Sequence, residues 1–477
     1  MVIAKVISPD QTCGIPGRFI GENIALLRDI IDYTTSNNLP TALFSLDQEK
    51  AFDQVEWPFL HKFLVAMGFG SSFCHWIRLL YTNVKSAVQV NGFLSGFFPV
   101  FRGVRQGCPL SPLLYVLVAE TLACSIRADT SLNGLYLPAC MLEMKISQYA
   151  DDISVVVVDD YSIDRLFGLF KNYSDASGAK LNVSKCHGLW LGPWRNRLDS
   201  TVAVNWTAVS IKALGTILGP SIKPERWETP LAKITHTISS WSSRLLSLTG
   251  KVTVLNNLVL SQLWYLLTVF VLPTSIVNQI NRLLGSFIRD NKTPLVARST
   301  LELRRHQGGF GLCNVQLKMA ALHAIWVRRM MATDAGKWTF FFRHYLRKAF
   351  LAEPVLRVFG FPSHSPASLR KLPPFYRSIV SSWLRVGGRH HSDGLLVIAH
   401  AINPSPITIE NVSATITYKV LLTFELPTPR CKLHFPSVNW SATWHSIQIT
   451  LLSTGRTRYF RQTEGLIMPP IRSVYSC

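Results

Sequence analysis

The chain has 477 residues and is strongly basic, with 49 Lys and Arg against 28 Asp and Glu and a formal net charge of +21 at pH 7. Hydrophobic residues make up 48% of it, which excludes a disordered tail and allows a large core. The charge excess predicts a polyanionic partner, either nucleic acid or an anionic membrane, and we favour nucleic acid.

The cysteines and the apolar segments limit the compartment. The nine cysteines are scattered and include no CxxC pair, so we expect a reducing environment and no zinc site. The N-terminus lacks the long apolar stretch of a signal peptide. The most apolar window, residues 258–273, is shorter than the roughly 20 residues that span a bilayer. We predict a buried helix there, no membrane partner, and a protein that is neither secreted nor transmembrane.

Helical and strand patterns alternate in the first part of the chain. Apolar spacing predicts a helix over residues 22–37, and TALFSLD predicts a strand that ends at Asp47. Helical patterns follow over residues 56–68 and 71–83. Asn91-Gly92 between alternating residues then predicts a hairpin.

The same alternation continues up to residue 224. RGVRQGCPLSP leads from a loop into a helix, with Ser111 suited to the N-cap and Pro112 to the first helical position. MKISQYADDISVVVV predicts a hairpin with Asp151 and Asp152 at its tight turn, and Gly178 is suited to close the helix that follows. The predicted fold class is therefore α/β, an α+β arrangement around a small sheet.

The rest of the chain has a different character. From about Glu225 the pattern is helical and indicates a bundle. Over residues 334–477 the helical signal weakens, and 17 Lys and Arg stand against 6 Asp and Glu.

Two adjacent carboxylates, Asp151 and Asp152, come directly before an apolar run. Because like charges this close repel each other and lose hydration, we expect a cation beside them. Separate strands can bring Asp47 next to Asp151, which would make a hard-oxygen site suited to Mg²⁺. A pair of such ions can assist an in-line displacement at phosphorus. Each motif alone has an ordinary explanation, such as a solvated turn or a helix cap, so the hypothesis depends on their conjunction.

Four motifs in this order resemble those of the reverse transcriptases of non-LTR retrotransposons (long interspersed elements): FSLDQEKAFDQV, RGVRQGCPLSPLLY, YADD and ASGAKLNVSKC. The resemblance covers roughly residues 8 to 330. It implies a right-hand polymerase fold with partial fingers in residues 1–40, the palm in 41–224 and a helical thumb in 225–333. The thumb would grip the primer–template duplex through its phosphates, and residues 334–477 would form a basic C-terminal region.

The resemblance also implies the catalytic residues. Asp47 and Asp151 would bind the metal directly, and Asp152 would be a weaker or indirect ligand. The expected cofactor is Mg²⁺, as two ions, with Mn²⁺ as a substitute. A lysine of the fourth motif would donate a proton to pyrophosphate, and Lys185 fits the spacing from Gly178 better than Lys180.

Further residues are implied to contact substrates. Phe52 is similar to the aromatic residue that excludes the ribose 2′-hydroxyl, although a core position under the following helix is an alternative. Gln106 and Gly107 would contact the nascent base pair and template. Besides Phe52, Gln106 and Gly107, the implied substrate contacts are Arg18, Arg105, Tyr149 and Lys180.

The leading hypothesis is an RNA-directed DNA polymerase that extends a DNA primer on an RNA template with dNTPs. A viral RNA-dependent RNA polymerase shares the paired aspartates, but YADD and a bulky Phe52 argue against it. The other alternative is a catalytically impaired remnant that still binds nucleic acid. We expect a fragment that starts inside the fingers, without an endonuclease domain or a Cys/His knuckle. We expect it in a nuclear or cytoplasmic ribonucleoprotein.

Overall fold

The computed structural model describes residues 3–138, 140, 142–197, 199–220, 225–290, 293, 296–332, 336–350, 366–387, 446–451 and 456–461. The described residues belong to two compact units. The first comprises Met1–Arg226 and Gly336–Phe341, and the second comprises Trp227–Ala335 and Phe342–Cys477.

The helices of the first unit interleave with its strands, as the alternating patterns predict. They are α1 (Ile3–Val6), α2 (Ile20–Ser36), α3 (Ala51–Gln54), α4 (Trp57–Ala66), α5 (Ser71–Leu80), α6 (Ser111–Ala128) and α7 (Asp160–Ser177). The α7 helix ends at Gly178, whose φ of +80° is the left-handed conformation expected of a glycine C-cap. The α6 helix begins at Ser111, so Leu110 occupies the N-cap position and the predicted Ser111 cap is wrong by one residue.

The strands of the first unit include one sheet and several short pairs. They are β1 (Thr41–Leu46), β2 (Lys85–Ser86), β3 (Gln89–Val90), β4 (Phe93–Leu94), β5 (Phe98–Pro99), β6 (Leu135–Tyr136), β7 (Glu143–Met144), β8 (Ile146–Tyr149), β9 (Asp152–Val157), β10 (His187–Leu191), β11 (Asn205–Thr207), β12 (Ile211–Ala213) and β13 (Thr216–Leu218). The predicted hairpin joins β3 to β4, with positive φ at both Asn91 and Gly92. This is the backbone signature of a type I′ turn.

The main sheet has five strands in the order β11-β10-β1-β9-β8. The central strand β1 is antiparallel to both β10 and β9, and β9 is antiparallel to β8. Five of the six residues of β1 are buried, which explains why its sequence is apolar on both faces. The predicted α+β sheet is confirmed.

Alternate residues of the sheet pack into a core with α6 and α7. Phe44, Ile153 and Val155 share this cluster with Leu114 of α6 and Leu166 of α7. By length and composition, α6 is the one helix among the described residues that could cross a membrane, and 61% of it is buried inside the protein.

The second unit is helical over most of its described residues. Its elements are α8 (Glu225–Ser242), α9 (Leu248–Val254), α10 (Ser261–Leu267), α11 (Thr274–Arg289), α12 (Arg298–Glu302), α13 (Val315–Met330), α14 (Trp338–Phe350), α15 (Pro366–Arg370) and α16 (Pro374–Gly387), with the first residues of α8 and α14 falling in the first unit. A single hairpin, β14 (Ser446–Leu451) with β15 (Arg456–Arg461), follows in the described part.

The apolar window at residues 258–273 is only partly the single helix predicted. A π-helical turn, Leu255–Val259, precedes α10, and the chain leaves the helix after Leu267. Leu263 and Leu267 are fully buried, so the predicted burial is confirmed. Much of the predicted basic region, residues 334–477, lies outside the described residues.

Candidate active site

Two neighbouring strands bring the predicted carboxylates to one end of the sheet. Leu46, the last residue of β1, pairs with Ile153 of β9, so Asp47 and Asp152 are each one residue beyond this pair. Tyr149 pairs with Asp152, which leaves Ala150 and Asp151 as a two-residue turn between β8 and β9. The register therefore gathers all three carboxylates at the same end.

The three carboxylates influence one another electrostatically. Burial is the main cause that raises the pKa of Asp151, and the charge of Asp47 raises it further. Asp152 is exposed overall, but its carboxyl is partly shielded from water, and this loss of hydration is the main cause that raises its pKa. The charges of Asp151 and Asp47 raise this pKa further. None of the three forms an ion pair with a described side chain. Their negative charge therefore lacks compensation from the described side chains.

This arrangement fits a divalent cation that takes part of its coordination from elsewhere. In the described part of the chain, no three His, Cys, Asp or Glu side chains are placed to hold a metal ion by themselves. Mg²⁺ commonly binds through one or two carboxylates and completes its coordination with water and substrate phosphates. Asp47 and Asp151 offer hard oxygen ligands of that kind.

Phe52 lies in α3, just after the Asp47 segment, and is half-buried. Its ring stacks on the buried ring of Tyr115 from α6, with centroids 4.6 Å apart and an angle of 13° between the ring planes. Burial is the main cause that raises the pKa of Tyr115, and electrostatic interaction with Tyr173 and Asp151 raises it further. The stack fixes one face of Phe52, and its predicted role in sugar selection stays a prediction.

The RGVRQG loop is bound closely to the Phe52 segment. The Val104 N–H donates to the carbonyl of Phe52 at 2.8 Å, and the Trp57 indole donates to the carbonyl of Gly103 at 2.8 Å. Gly103 has a φ of +93°, and a Cβ there would lie 2.9 Å from the Asp53 carbonyl oxygen. Only glycine allows this approach without strain.

The following residues of this loop are the predicted substrate contacts. Arg105, Gln106 and Gly107 are all exposed to solvent. Because hydrogen bonds tie Gly103 and Val104 to the Phe52 segment, these three residues follow directly after a point that is fixed beside Phe52. Their contacts with template and base pair stay predictions.

The segment with the two candidate lysines runs beside Asp47. The Asn182 N–H donates to the Asp47 carbonyl at 2.9 Å, and the Glu49 N–H donates to the Lys180 carbonyl at 2.8 Å. The buried Cys186 thiol accepts from the Asp47 N–H at 3.4 Å. Lys180 and Lys185 are both exposed, and the preference for Lys185 as a proton donor stays a prediction.

Arg18 and Tyr149 have contacts that the sequence did not indicate. The Arg18 guanidinium donates to the carbonyls of Ile7, Ser8 and Gln11, so it holds the N-terminal segment together. Partial burial is the main cause that raises the pKa of Tyr149. The Cys13 thiol, which forms a hydrogen bond with the Tyr149 hydroxyl, raises it further. These contacts are structural, and the predicted substrate contacts of both residues stay predictions.

Sequence reasoning missed several residues that shape the site. Gln11 and Asn23 bind the β8–β9 hairpin, Tyr115 supports Phe52, and Cys186 binds the backbone of Asp47. A single buried residue of this kind produces no periodic pattern in the sequence. Its partner is known only when the chain is folded.

Comparison with known proteins finds similar sequences over much of the chain. Residues 2–218 match the family model "Reverse transcriptase (RNA-dependent DNA polymerase)". A Xenopus laevis protein, the transposon TX1 uncharacterized 149 kDa protein, is 31% identical over 405 residues, which are 81% of this chain and 30% of the relative.

Other relatives match smaller parts. The Pol polyprotein of the R2 element of Popillia japonica is 27% identical over 164 residues, 34% of this chain and 27% of its own length. The chain spans less than a third of each of these two relatives. Among solved structures, apo telomerase from Candida tropicalis aligns with a TM-score of 0.39 and 10% identity, covering 72% of this chain and 59% of that one.

The raised pKa of Asp151 predicts a pH-dependent stability. Because the folded pKa lies above the ordinary value of 3.8, the native state binds this proton more tightly than the unfolded state. The associated stability is present at low pH and is lost as pH rises through the folded pKa. Urea unfolding without divalent ions should show wild type losing stability relative to Asp151→Asn as the pH rises above about 4.

The matched control is Asp175→Asn, which changes an exposed aspartate of α7. It should follow the wild-type dependence on pH. If the difference in stability between wild type and Asp151→Asn did not vary with pH, the raised pKa of Asp151 would be contradicted.

Proposed function

Because residues 2–218 form a reverse transcriptase domain of the non-LTR retrotransposon type, we propose that this chain is an RNA-directed DNA polymerase. It would extend a DNA primer along an RNA template by adding dNTPs. The observation that carries the proposal is the convergence of Asp47, Asp151 and Asp152 at one end of the sheet, where none of them forms an ion pair with a described side chain. We assign partial fingers to residues 1–40, the palm to 41–224, the thumb to 225–333 and a basic extension to 334–477.

The carboxylates define where the chemistry takes place. Asp47 and Asp151 would hold the divalent ions, with Asp152 as a weaker neighbour. When bound, two Mg²⁺ ions, or Mn²⁺ in their place, would activate the primer 3′-hydroxyl and stabilise the charge on the triphosphate. Lys185, or Lys180 in the same segment, would donate a proton to the departing pyrophosphate.

Other residues of the first unit would position the substrates. Phe52, with its ring supported by Tyr115, would lie against the sugar of the incoming nucleotide. Gln106 and Gly107 would contact the nascent base pair and template, and Arg105 beside them would contact substrate. Arg18 and Tyr149 would support this surface through the N-terminal segment and the hairpin.

The second unit has a cavity suited to phosphates. Its volume is about 620 Å³, and its lining within the described part of the chain includes Arg282, Arg289 and Arg298 together with Asn278 and Asn281 and no acidic residue. The α11 helix buries its apolar side and presents its polar side to this cavity. Arginine and asparagine bind phosphate oxygens without reading base sequence. This supports a role for the unit in holding a primer–template duplex. The nuclear or cytoplasmic ribonucleoprotein in which we place the chain stays a prediction.

The first prediction concerns the metal ligands. Asp151→Asn should reduce primer extension on poly(rA)/oligo(dT) with Mg²⁺ by several orders of magnitude, because it removes a ligand charge and leaves the duplex-binding surface intact. Extension and duplex affinity are measured on the same preparations, with Asp175→Asn as the control. A parallel loss of extension and binding would indicate a folding defect. Binding without any extension by wild type would favour the impaired remnant.

The second prediction concerns the arginine cavity. Binding to duplex should weaken steeply with salt, because phosphate contacts release counterions. Arg282→Gln should reduce the slope of log affinity against log salt by about 1, for every duplex sequence tested. The control Arg195→Gln changes an exposed arginine outside this cavity and should leave the slope unchanged. Affinity that does not depend on salt would exclude the phosphate role.

The third prediction concerns sugar selection. Phe52→Val should lower the ratio of kcat/KM for dGTP over GTP at least about tenfold, since a smaller side chain admits the 2′-hydroxyl and each factor of ten is about 1.4 kcal/mol. Phe59→Val, which shortens a half-buried phenylalanine of α4, is the control. If Phe52 is only a core residue, the variant would lose roughly 1–3 kcal/mol of stability and keep the wild-type ratio.

A further inference from the structure

The turn that carries Asp151 has a strained backbone. Ala150 has a φ of +54°, in the left-handed region that residues with a Cβ rarely adopt. The turn has only two residues, and Asp151 is the second. A strained residue persists when its surroundings over-determine its conformation. The contacts of Ala150 therefore control where the Asp151 carboxylate lies.

One side chain binds both polar groups of the Ala150 backbone. The Oε1 atom of Gln11 accepts from the Ala150 N–H at 3.0 Å, and its Nε2 donates to the Ala150 carbonyl at 3.5 Å. Oε1 also accepts from the Cys13 N–H at 2.9 Å, and Gln11 is fully buried. The side-chain amide thus pairs with the turn as a neighbouring strand would, and it does so from outside the hairpin.

The segment around Gln11 is itself held firmly. Its backbone pairs with β8, because the Thr12 N–H donates to the Gln148 carbonyl at 3.1 Å and the Gln148 N–H donates to the Asp10 carbonyl at 2.8 Å. The Asn23 amide of α2 also donates to the Gln148 carbonyl at 3.0 Å.

A charged contact adds to this anchoring. The buried Asp10 carboxylate binds Arg127 of α6 at 3.1 Å and Lys337 at 2.5 Å. Gln11 is therefore a fixed support for the turn and not a mobile neighbour of it.

We propose that Gln11 is a positioning residue that holds the Ala150–Asp151 turn in its strained form and so sets the position of the Asp151 carboxylate. Without the Gln11 amide, the Ala150 N–H and carbonyl lose their partner and the left-handed conformation loses its support. The turn would then relax, and Asp151 would no longer remain beside Asp47. The catalytic consequence rests on the proposed function, whereas the structural consequence does not.

The chain offers a matched control one strand away. Gln148 is paired across from Gln11 and is equally buried, but its side-chain amide has no hydrogen-bond partner among the described residues. Gln11→Leu and Gln148→Leu therefore remove the same chemical group from the same depth. Only the first of them removes a contact with the turn.

The test combines hydrogen exchange with ion binding. Gln11→Leu should speed amide exchange of residues 150–152 at least about tenfold. It should also weaken Mn²⁺ binding, measured by electron paramagnetic resonance, by about 10–100-fold, which is the usual effect of losing a residue that orients a metal ligand. Gln148→Leu should change neither quantity. In primer extension, Gln11→Leu should lower kcat and leave the KM for primer–template unchanged.

A second comparison keeps the proposal falsifiable if Gln11→Leu is poorly folded. Ala150→Gly relieves the strain of the left-handed conformation. In that background, Gln11→Leu should change the logarithms of the exchange rate and of the Mn²⁺ affinity by less than half of the change that it causes in wild type. Equal costs in both backgrounds, or equal effects of Gln11→Leu and Gln148→Leu, would overturn the proposal. A wild type that extends no primer would refute the proposed function alone, since exchange and Mn²⁺ binding still decide the role of Gln11.

Discussion

The antiparallel pairing of β1 with β9 is the constraint on which the site depends. It places Leu46 opposite Ile153, and the next residues along both strands are carboxylates. Because strand pairing has a period of two, a slip of one residue would move Ile153, Val155 and Val157 from the face that packs against α6 and α7 to the opposite face of the sheet. The hydrophobic core therefore determines the register, and the register forces like charges together. Loss of hydration chiefly, and then the charges of the neighbouring aspartates, raises the pKa of Asp151 and of Asp152.

Elements around the sheet end hold this unfavourable arrangement in place. The N-terminal segment supports the hairpin from one side through Gln11 and Asn23. On the other side, the Asn182 N–H and the Cys186 thiol bind the backbone of Asp47. None of these contacts neutralises the carboxylates. They restrict the backbone and leave the charge available for a cation, which is the division of roles expected where a protein keeps a site preorganised.

Local patterns in the sequence predicted most elements of the first unit correctly. The strand that ends at Asp47, the hairpin at Asn91-Gly92 and the helix closed by Gly178 depend on neighbours within a few residues. The errors concern where helices begin and end. The helix of RGVRQGCPLSP begins at Ser111 and not after it, and the apolar window at 258–273 contains a π-helical turn and leaves the helix early.

The sequence alone established the basic charge, the four motifs and their order, and the conjunction of these motifs, rather than the paired carboxylates alone, predicted the chemistry. The tertiary structure decided which side chains surround them. The buried amide of Gln11 lies 139 positions from Ala150 along the chain, and Tyr115 lies 63 positions from Phe52. Such contacts come from packing between elements, which has no period in the sequence. A glutamine that supports a strained turn and one that is merely buried look the same until the chain folds.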